Sequence, residues 1–499
     1  MDPKLEERST ELKNLGNQEL KNNNFDKAIE LYTQAIDIFP TAILYSNRAQ
    51  AQIKLENYGL AIEDANHAIK LDKDYLKAYY RRAVAYSAIL EYKKSLSDVK
   101  IVLSRAPSDR NAQLLEKQLV RIINQIKFEK AIAVEEKGSA IASLDLDAFT
   151  VESSYQGPDL DIKVEDKRVS VSMTQEYVSN MVDLFRKGGK IPKKHAFAIV
   201  AAANEIFKEQ PPMVEFGLKR PATAAKELQL EEAKKITVCG DTHGQFYDVL
   251  NLFKRFGKVG RDHIYLFNGD FVDRGSWSCE VAFLLYSLKL LYPENIYINR
   301  GNHETNDMNK VYGFEDECKY KYSEKLFSCF SESFNSLPYA SLIGQEYLVM
   351  HGGLFSSDDV TLDDIRKIDR FKNKQPPKEG IEMELLWTDP QESKGRSASK
   401  RGIGMQFGPD VTADFCERNK LKAIIRSHEV RMGGYEIEHN GKLVTVFSAP
   451  NYCDMQGNLG AVINFTLKGD EYELEYATFT HVDHPNIPPM NYSKNNFGF

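Results

Sequence analysis

A helical repeat at the N-terminal end restricts the fold of this chain more than any other feature of its 499 residues. Small or aliphatic residues recur at steps of 33 and 34 in two series: Ala28, Ala61 and Ser95, and Ala35, Ala68 and Val102. Pro40 recurs as Pro107 after 67 residues, the sum of both steps. Small residues let paired helices approach closely, and a proline ends each unit because it cannot continue a helix interior. The spacing predicts three copies of one helical hairpin.

The repeat resembles the tetratricopeptide repeat over residues 8 to 107. Its first copy carries Leu15-Gly16, Ala28, Tyr32, Ala35 and Pro40. An amphipathic segment that starts at Ser108 predicts the helix that caps such a stack. The resemblance implies an all-α superhelix of three repeats and a capping helix over residues 8–140.

The predicted inner helices of the three copies carry hydrogen-bond donors. Lys13 and Asn17 are four residues apart, as are Lys77 and Arg81, and Asn47 lies in copy two. Donors at this spacing share a helix face and suit the terminal carboxylate and acidic side chains of an extended peptide. By resemblance, the five residues match the carboxylate clamp that binds heat-shock chaperones ending in Glu-Glu-Val-Asp. The alternative for each residue taken alone is ordinary solvated surface.

Between residues 145 and 168 the helical pattern stops, and seven acidic residues surround the Gly157-Pro158 break. This composition is typical of a linker. We therefore expect an acidic linker over 141–168, a catalytic domain over 169–490 and a short C-terminal tail over 491–499.

The net charge of −7 and the 42% of apolar residues exclude a disordered chain and make a nucleic-acid-coating protein a poor match. The six cysteines lack close pairs, which favours reduced thiols. No apolar stretch approaches the roughly 20 residues of a membrane span, and the N-terminus does not resemble a signal peptide. We expect a monomer in the cytoplasm and nucleus.

Five predicted buried strands in the second half of the chain each end directly before a polar cluster. The strands are Ile236–Cys239, Ile264–Phe267, Ile296–Ile298, Tyr347–Met350 and Ile424–Ser427, and the clusters begin at Gly240, Asn268, Asn299, His351 and His428. Sheets of α/β proteins build active sites from side chains at the carboxyl ends of buried strands. We expect these clusters to meet in one crevice.

The clusters supply two aspartates, one asparagine and three histidines, without a thiolate. Oxygen and imidazole ligands suit manganese, iron or zinc better than calcium, with magnesium as a further candidate. If one carboxylate bridges, the residues fill two adjoining sites: Asp241, His243 and Asp270 on the first ion, and Asp270, Asn302, His351 and His428 on the second. The sequence therefore predicts two divalent metal ions per chain.

Three glycine-bracketed motifs carry a second resemblance: Gly240-Asp241-x-His243-Gly244, Gly269-Asp270-x-x-Asp273-Arg274-Gly275 and Gly301-Asn302-His303-Glu304. With Ser448-Ala449-Pro450-Asn451-Tyr452, they resemble the signature of the metal-dependent serine/threonine phosphoprotein phosphatases. The resemblance implies a multidomain protein in which the repeat superhelix precedes an α/β metallophosphoesterase domain, a β-sandwich core flanked by helices.

The predicted chemistry is hydrolysis of phosphoserine and phosphothreonine by a water that the two metal ions activate between them. Arg274 and Arg401 would bind phosphoryl oxygens, and His303 would protonate the leaving alkoxide. Asp273 would orient His303, the alternative being a structural cap. Asn302, His428 and Tyr452 complete the set of residues predicted to contact the substrate phosphate or the rim around it.

The resemblance also implies self-inhibition by the repeat domain, relieved by a chaperone tail or a fatty acid. Glu56 matches the inhibitory position, the alternative being a solvated turn glutamate. The C-terminal tail departs from the family pattern, because asparagines and a glycine replace a short apolar helix. We expect residues 210–221 to form a proline-bearing loop, to which the sequence assigns no role.

Two other functions remain compatible with the sequence. A binding adaptor could retain the catalytic half as a scaffold, although the intact ligands, His303 and both arginines argue against it. A metallophosphoesterase could instead act on a small phosphoester, which the catalytic residues alone do not distinguish from a phosphoprotein.

Overall fold

The computed structural model describes residues 3–132, 138–166, 168–220, 228–230, 232–373 and 375–493. Their contacts divide the chain into two compact units. Among the described residues, the first unit comprises 3–132 together with the segment 398–405, and the second comprises 138–397 and 406–493. No helix in the described part of the chain is long and apolar enough to span a membrane.

The N-terminal part of the first unit is entirely helical. Its helices are α1 (Pro3–Lys21), α2 (Phe25–Ile38), α3 (Ala42–Lys54), α4 (Tyr58–Leu71), α5 (Leu76–Ala88), α6 (Tyr92–Arg105) and α7 (Arg110–Ile132). The repeated residues Ala28, Ala61 and Ser95 are completely buried, as their spacing predicted. The turn within each hairpin contains a residue with positive φ, at Asn23, Glu56 and Leu90. The three-repeat helical architecture is confirmed.

The segment expected to be an acidic linker, residues 141–168, is instead packed as part of the second unit. Residues 138–168 belong to the second unit, where β1 (Ile162–Glu165) pairs antiparallel with β2 (Arg168–Val171). Ile141, Leu146 and Leu160 are buried in the hydrophobic core of this unit. These apolar side chains anchor the segment, while its acidic residues are mostly exposed. The second unit therefore begins well before residue 169.

The remaining elements follow in chain order. They are α8 (Gln175–Arg186), α9 (Lys193–Glu209), β3 (Met213–Leu218), β4 (Leu228–Leu230), β5 (Lys235–Cys239), α10 (Phe246–Phe256), β6 (His263–Phe267), α11 (Ser278–Leu291), β7 (Ile296–Ile298), α12 (Asn306–Tyr312), α13 (Phe314–Lys321), α14 (Glu324–Asn335), β8 (Ala340–Ile343), β9 (Tyr347–Met350), α15 (Leu362–Arg366), α16 (Ile381–Trp387), β10 (Asp389–Pro390), β11 (Arg396–Ala398), β12 (Met405–Phe407), α17 (Pro409–Asn419), β13 (Ala423–Arg426), β14 (Tyr435–Glu438), β15 (Leu443–Val446), β16 (Gly460–Lys468) and β17 (Glu471–Phe479).

Two large sheets form the core of the second unit. One has the strand order β14-β15-β13-β9-β8-β3-β4, and the other has the order β17-β16-β5-β6-β7. Apolar residues of both sheets, among them Leu266 and Ile425, share one buried cluster. Side chains of α8, α9, α11 and α14 join residues of β5 and β6 in a second cluster. This arrangement confirms the predicted β-sandwich flanked by helices.

The stretch 210–221, expected to be a loop, instead contains β3. This strand pairs in parallel with β8 and β4. Met213, Phe216 and Leu218 are buried, so packing between the sheets makes this stretch a strand. Pro211 and Pro212 precede the strand, where a missing N–H does not interrupt the ladder. Pro221 lies outside the described residues.

Candidate active site

The predicted metal ligands follow the ends of parallel strands in both sheets. Strands β5, β6 and β7 are parallel neighbours in one sheet, and β9, β13 and β15 are parallel neighbours in the other. The ligands come after five of these strands: Asp241 and His243, Asp270, Asn302, His351, and His428. Every one is at least 93% buried. The carboxyl ends of the two sheets thus bring together all six residues, as the sequence predicted.

Asp270 lies at the centre of this constellation. Its carboxylate groups with His243 and His303 on one side and with His351 and His428 on the other, and the ligand atoms in each group lie within 4.8 Å of one another. His243 Nε2 is 3.7 Å from an oxygen of Asp270 and 3.7 Å from an oxygen of Asp241. The geometry suits two adjoining cations that share Asp270.

Hydrogen bonds to backbone carbonyls orient two of the imidazoles. His243 Nδ1 lies 3.0 Å from the Val272 carbonyl oxygen, and His351 Nδ1 lies 2.9 Å from that of Asn268. When Nδ1 donates to these carbonyls, Nε2 is left facing the carboxylates and could bind a metal ion. His351 Nε2 lies 3.2 Å from Asp270 Oδ2.

The amide group of Asn302 lies beside the same atoms. Its oxygen is 2.9 Å from His351 Nε2. In the alternative amide orientation, its nitrogen is 3.2 Å from His428 Nδ1 and 2.9 Å from an Asp270 oxygen. Asn302 therefore approaches three of the predicted ligands of the second ion.

The charges at this centre fit divalent cations. Burial alone would lower the pKa of His351, but the carboxylates of Asp270 and Asp241 raise it to about 9. Burial would raise the pKa of Asp270, yet His351 and His303 hold that pKa well below its usual range. Two carboxylates less than 3% exposed thus require positive charge beside them. Carboxylate, imidazole and amide groups without thiolates are suitable ligands for divalent metal ions.

His303 lies close enough to Asp270 to be considered as a metal ligand, but its side chain contacts Asp273 more closely. Its Nδ1 lies 2.8 Å from Asp273 Oδ2, and its Nε2 is 4.0 Å from Asp270 Oδ2. Asp273 also accepts hydrogen bonds from the Asn309 side chain at 2.9 Å and the Phe314 N–H at 2.8 Å. This arrangement fixes the His303 ring and leaves Nε2 facing the metal centre.

Arg274 follows Asp273 on an unusual turn. Both residues have φ of 68°, in the left-handed region that costs side-chain-bearing residues energy. The Arg274 guanidinium carbon lies over the Tyr312 ring, 4.0 Å from its centre, a distance at which a cation and an aromatic ring attract each other. The Tyr452 ring lies 5.1 Å from the His243 ring. Tyr452 therefore lies beside a predicted metal ligand, and Arg274 adjoins Asp273, whose carboxylate contacts His303.

Two buried residues organise the site without having been assigned a role from the sequence. Glu304 accepts hydrogen bonds from the backbone N–H groups of Asp270, Phe271 and Gly301 at 2.7–3.0 Å. In the sequence, the sign of its importance was its position in the motif Gly301-Asn302-His303-Glu304.

Arg426 is the second of these residues. It donates to Asp389, Glu429 and the Gly352 carbonyl at 2.7–2.8 Å. It thereby ties the loop after His351 to the loop around His428. Its sequence signal was a charged residue inside an otherwise apolar strand.

The first unit contains the other predicted site residues. Asn17 Oδ1 accepts a hydrogen bond from the Asn47 side chain at 3.0 Å, and Arg81 donates to Asn47 Oδ1 at 3.2 Å. Lys13 on α1 is half-buried, and Lys77 on α5 is exposed. Three of the five predicted clamp residues thus form one hydrogen-bond network.

Arg401 also belongs to the first unit, although the sequence placed it in the catalytic domain. Its Nη1 is 3.8 Å from Glu56 Oε2. The carbonyl oxygen of the preceding residue, Lys400, accepts from the N–H groups of Gly59 and Leu60 at 2.8 and 3.2 Å. That carbonyl satisfies two N–H groups in the first turn of α4, which the Asn57 side chain leaves uncapped.

Comparison with known proteins gives consistent family matches. A model of the calcineurin-like phosphoesterase family matches residues 234–432, a tetratricopeptide repeat model matches 42–75, and a model described as the PPP5 TPR repeat region matches 116–215. The chain is 52% identical over 492 residues to serine/threonine-protein phosphatase T of Aspergillus oryzae, with 98% of both chains covered. It is 46% identical over 488 residues to serine/threonine-protein phosphatase 5 of Homo sapiens, with 97% of this chain and 93% of that one covered.

A solved structure of a protein serine/threonine phosphatase from Saccharomyces cerevisiae, described as similar to human phosphatase PP5, matches with a TM-score of 0.59. That match has 56% identity and covers 64% of this chain and 100% of the other. The sandwich, the shared carboxylate and these relatives agree: the chain belongs to the tetratricopeptide-repeat serine/threonine protein phosphatases of the phosphatase 5 and phosphatase T type, and it is a metal-dependent phosphoric monoester hydrolase.

Proposed function

We propose that two divalent ions, manganese or iron with zinc or magnesium as alternatives, are held by Asp241, His243, Asp270, Asn302, His351 and His428. The observation that carries this assignment is the position of the Asp270 carboxylate, which two separate groups of histidines share. When bound, the ions supply an activated water and neutralise charge on the phosphoryl oxygens. The residues around them bind the phosphate and transfer the proton.

The substrate is a phosphoserine or phosphothreonine side chain of a protein. Arg274 forks onto two phosphoryl oxygens, as does Arg401 when it is available, while Asn302 and His428 border the phosphate and Tyr452 lines the rim. His303 gives the proton at Nε2 to the leaving alkoxide, while Asp273 orients the ring through its contact with Nδ1. Protonation of the alkoxide allows a poor leaving group to depart.

The test of this function is hydrolysis of a phosphoserine peptide by the full chain with manganese. We expect the parent chain to hydrolyse the peptide and Asp241→Asn to abolish this activity. The control variant Asp262→Asn, which lies on a loop outside the site, should leave it unchanged. Turnover of para-nitrophenyl phosphate without turnover of the peptide would favour a small phosphoester as substrate. Binding of a chaperone peptide without hydrolysis of either compound would indicate an adaptor.

We also propose that the helical groove binds the carboxyl-terminal Glu-Glu-Val-Asp segment of a heat-shock chaperone. Arg81 donates to the neutral oxygens of Ser46, Asn47 and Gln50 at 2.6–3.2 Å, and burial lowers its pKa. A peptide carboxylate would supply the negative charge that these acceptors do not. Calorimetry should detect binding of the peptide when its C-terminal carboxylate is free. Either Arg81→Met in the protein or a C-terminal amide on the peptide should abolish this binding.

The repeat domain is proposed to inhibit the enzyme through Glu56. This residue lies 3.8 Å from Arg401, the second proposed phosphate-binding arginine, so the pair restrains a side chain that the reaction needs. A chaperone tail or a fatty acid is the proposed activator, the fatty acid resting on the family resemblance alone. A fragment that starts at Gly138, where the second unit begins, should be more active than the full chain. Equal activities would exclude self-inhibition.

A further inference from the structure

The C-terminal segment 482–492, which we name the C-terminal strap, lies against the turn that carries Arg274. The Met490 N–H donates to the Arg274 carbonyl oxygen at 2.8 Å. The Ser276 hydroxyl donates to the Pro488 carbonyl oxygen at 2.7 Å and accepts from the Asn491 N–H at 3.1 Å. Three hydrogen bonds therefore join the strap to residues 274 and 276.

Anchors on both sides fix the path of the strap. At its start, the Val482 N–H donates to the buried Asp248 carboxylate at 2.9 Å. At its end, Tyr492 stacks on Tyr320 with ring centres 4.7 Å apart, and Lys321 Nζ lies 5.0 Å from the Tyr492 ring. These contacts fix both ends of the strap, so that residues 488–491 between them stay within hydrogen-bonding distance of the turn.

The turn itself needs external support. Asp273 and Arg274 both have φ of 68°, and such strained residues persist only where the surroundings hold them. Asp273 is held by its buried side-chain hydrogen bonds, and the Arg274 N–H donates to the Tyr312 carbonyl at 3.0 Å. The strap supplies the contact on the Arg274 carbonyl.

Hydrogen bonds make the direct connection between the strap and this turn, while beside it Ile487 of the strap packs against the core and the His484 ring lies 5.0 Å from the Trp277 ring. An open cavity lies at the junction, lined by Gly275, Trp277 and Asp454 of the body and by His484 and Pro489 of the strap. A segment that borders an open cavity gains little from close packing there. Loss of the Ser276 hydroxyl should therefore loosen the strap locally.

We propose that the C-terminal strap positions Arg274 for the substrate phosphate, with Ser276 and Met490 as positioning residues. The inference rests on the proposed role of Arg274 as a phosphate ligand. The guanidinium lies over the Tyr312 ring, 4.0 Å from its centre, so its direction depends on the backbone of the turn being held at both the N–H and the carbonyl. The segment that ends the described chain thereby contributes to substrate binding without touching the substrate.

The test uses the full chain with manganese, a phosphoserine peptide, and inorganic phosphate as a competitive inhibitor. We expect Ser276→Ala to raise KM and the inhibition constant of phosphate together by about tenfold, the factor that one or two lost hydrogen bonds correspond to. The value of kcat should change less than about twofold, because the proton donor and the metal ligands are untouched. Asn251→Ala is the matched control, since Asn251 donates to the Thr480 carbonyl just before the strap.

Arg274→Lys supplies the second arm of the test. If the strap acts through Arg274, Ser276→Ala should add nothing to the effect of Arg274→Lys. Independent, multiplying effects would overturn the proposal, as would unchanged constants in a folded Ser276→Ala protein. If Ser276→Ala fails to fold, Tyr492→Ala removes the end anchor instead, with the same expectation. If Arg274→Lys itself leaves both constants unchanged, the proposed role of Arg274 is wrong and the strap proposal falls with it.

Discussion

At the scale of single residues, His303 is the side chain whose surroundings most restrict its chemistry. Its Nδ1 is held by Asp273, its backbone N–H donates to Asp270 at 2.8 Å, and Nε2 faces the metal centre. We predict that His303→Asn lowers the kcat for a phosphoserine peptide by about 100-fold or more, the contribution of a positioned acid. The measurement is steady-state turnover, with metal content determined on the same sample.

The control for this prediction separates proton transfer from metal binding. Metal content should be unchanged in His303→Asn, because six other residues supply the proposed ligands. A substrate with a good leaving group, such as para-nitrophenyl phosphate, should lose much less activity than the peptide, since its leaving group needs no proton. Unchanged peptide turnover, or an equal loss on both substrates, would contradict the role of general acid.

The residue types at the site could be predicted from the sequence, but their backbone conformations could not. His243, Asp270, Asp273, Arg274 and His428 all have positive φ, between 39° and 72°. Glycine is the strongest signal for this region, and none of these five residues is a glycine; aspartate and histidine, which make up four of the five, are enriched there but still adopt it in only a minority of cases. Long-range hydrogen bonds impose the conformations, which is why the local sequence does not reveal them.

At the scale of helices and strands, a buried ion pair repeats within the helical unit. Arg48 pairs with Asp64 and Arg82 with Asp98, at 2.6 and 2.7 Å. We predict that Asp98→Ala destabilises α5 and α6 by about 1–3 kcal/mol, because it leaves a mostly buried guanidinium without its carboxylate. Hydrogen exchange of the amides in α5 and α6 of the full chain measures this loss directly.

Asp74→Ala is the matched control for the repeat pair. Asp74 pairs with Arg105 at 2.5 Å in the same unit, but their side chains are 84% and 46% exposed. An exposed pair contributes less than about 1 kcal/mol, so exchange should change little. If both variants had the same effect, burial would not be the source of the stabilisation.

A chain of hydrogen bonds crosses four neighbouring strands and includes a buried histidine. His263 of β6 contacts Thr237 of β5, Thr237 donates to Asn464 of β16, and Asn464 donates to Glu475 of β17, at 2.7–3.0 Å. Burial, together with the charge of Lys235, lowers the pKa of His263 from 6.5 to about 4. The imidazole is therefore neutral in the folded protein at neutral pH.

This pKa predicts an acid-sensitive free energy of unfolding. Between pH 6.5 and pH 4 the unfolded chain binds a proton at His263 that the folded chain does not, so stability falls as the pH is lowered through this range. We expect His263→Gln to remove about 3 kcal/mol of this pH dependence while it retains a donor for Thr237. Urea unfolding of both proteins at several pH values measures the difference, and parallel curves would contradict the prediction.

Element prediction succeeded where periodicity was long and failed where burial came from distant partners. Three helical hairpins and five strand ends left clear patterns in the sequence. By contrast, β3 forms because it lies between β8 and β4, and the acidic stretch before residue 168 packs through a few scattered apolar residues. Neither segment has a local pattern that distinguishes it from a loop.

At the scale of the whole molecule, the sequence predicted two domains as continuous ranges, 8–140 and 169–490, whereas one of the two units in the structure is discontinuous. The segment 398–405 groups with the helical unit although it lies more than 250 residues later in the chain. Backbone contacts account for this: a Cβ on Gly59 would lie 2.8 Å from the Gly402 nitrogen and 2.9 Å from the Lys400 oxygen. Such a close approach requires a glycine at position 59 because of residues that lie more than 300 positions later, which no local pattern shows.

This grouping leads to a prediction for regulation by Glu56. Glu56 has φ of 61°, so asparagine, which tolerates that conformation, removes the charge without straining the turn. We predict that Glu56→Asn raises the basal turnover of a phosphoserine peptide severalfold, because Arg401 loses the carboxylate beside it. The rate with a saturating chaperone peptide should stay near that of the parent chain, since activation would already have separated the pair.

Leu90→Asn is the matched control for Glu56→Asn. Leu90 occupies the corresponding turn of the third repeat with φ of 64°, so the backbone requirement is the same and only the position differs. Its basal rate should equal that of the parent chain. A similar rise in both variants would mean that any loosened turn activates the enzyme, whereas a rise in Glu56→Asn alone would assign inhibition to the carboxylate near Arg401. Because that attraction is electrostatic, added salt should raise the basal rate of the parent chain more than that of Glu56→Asn.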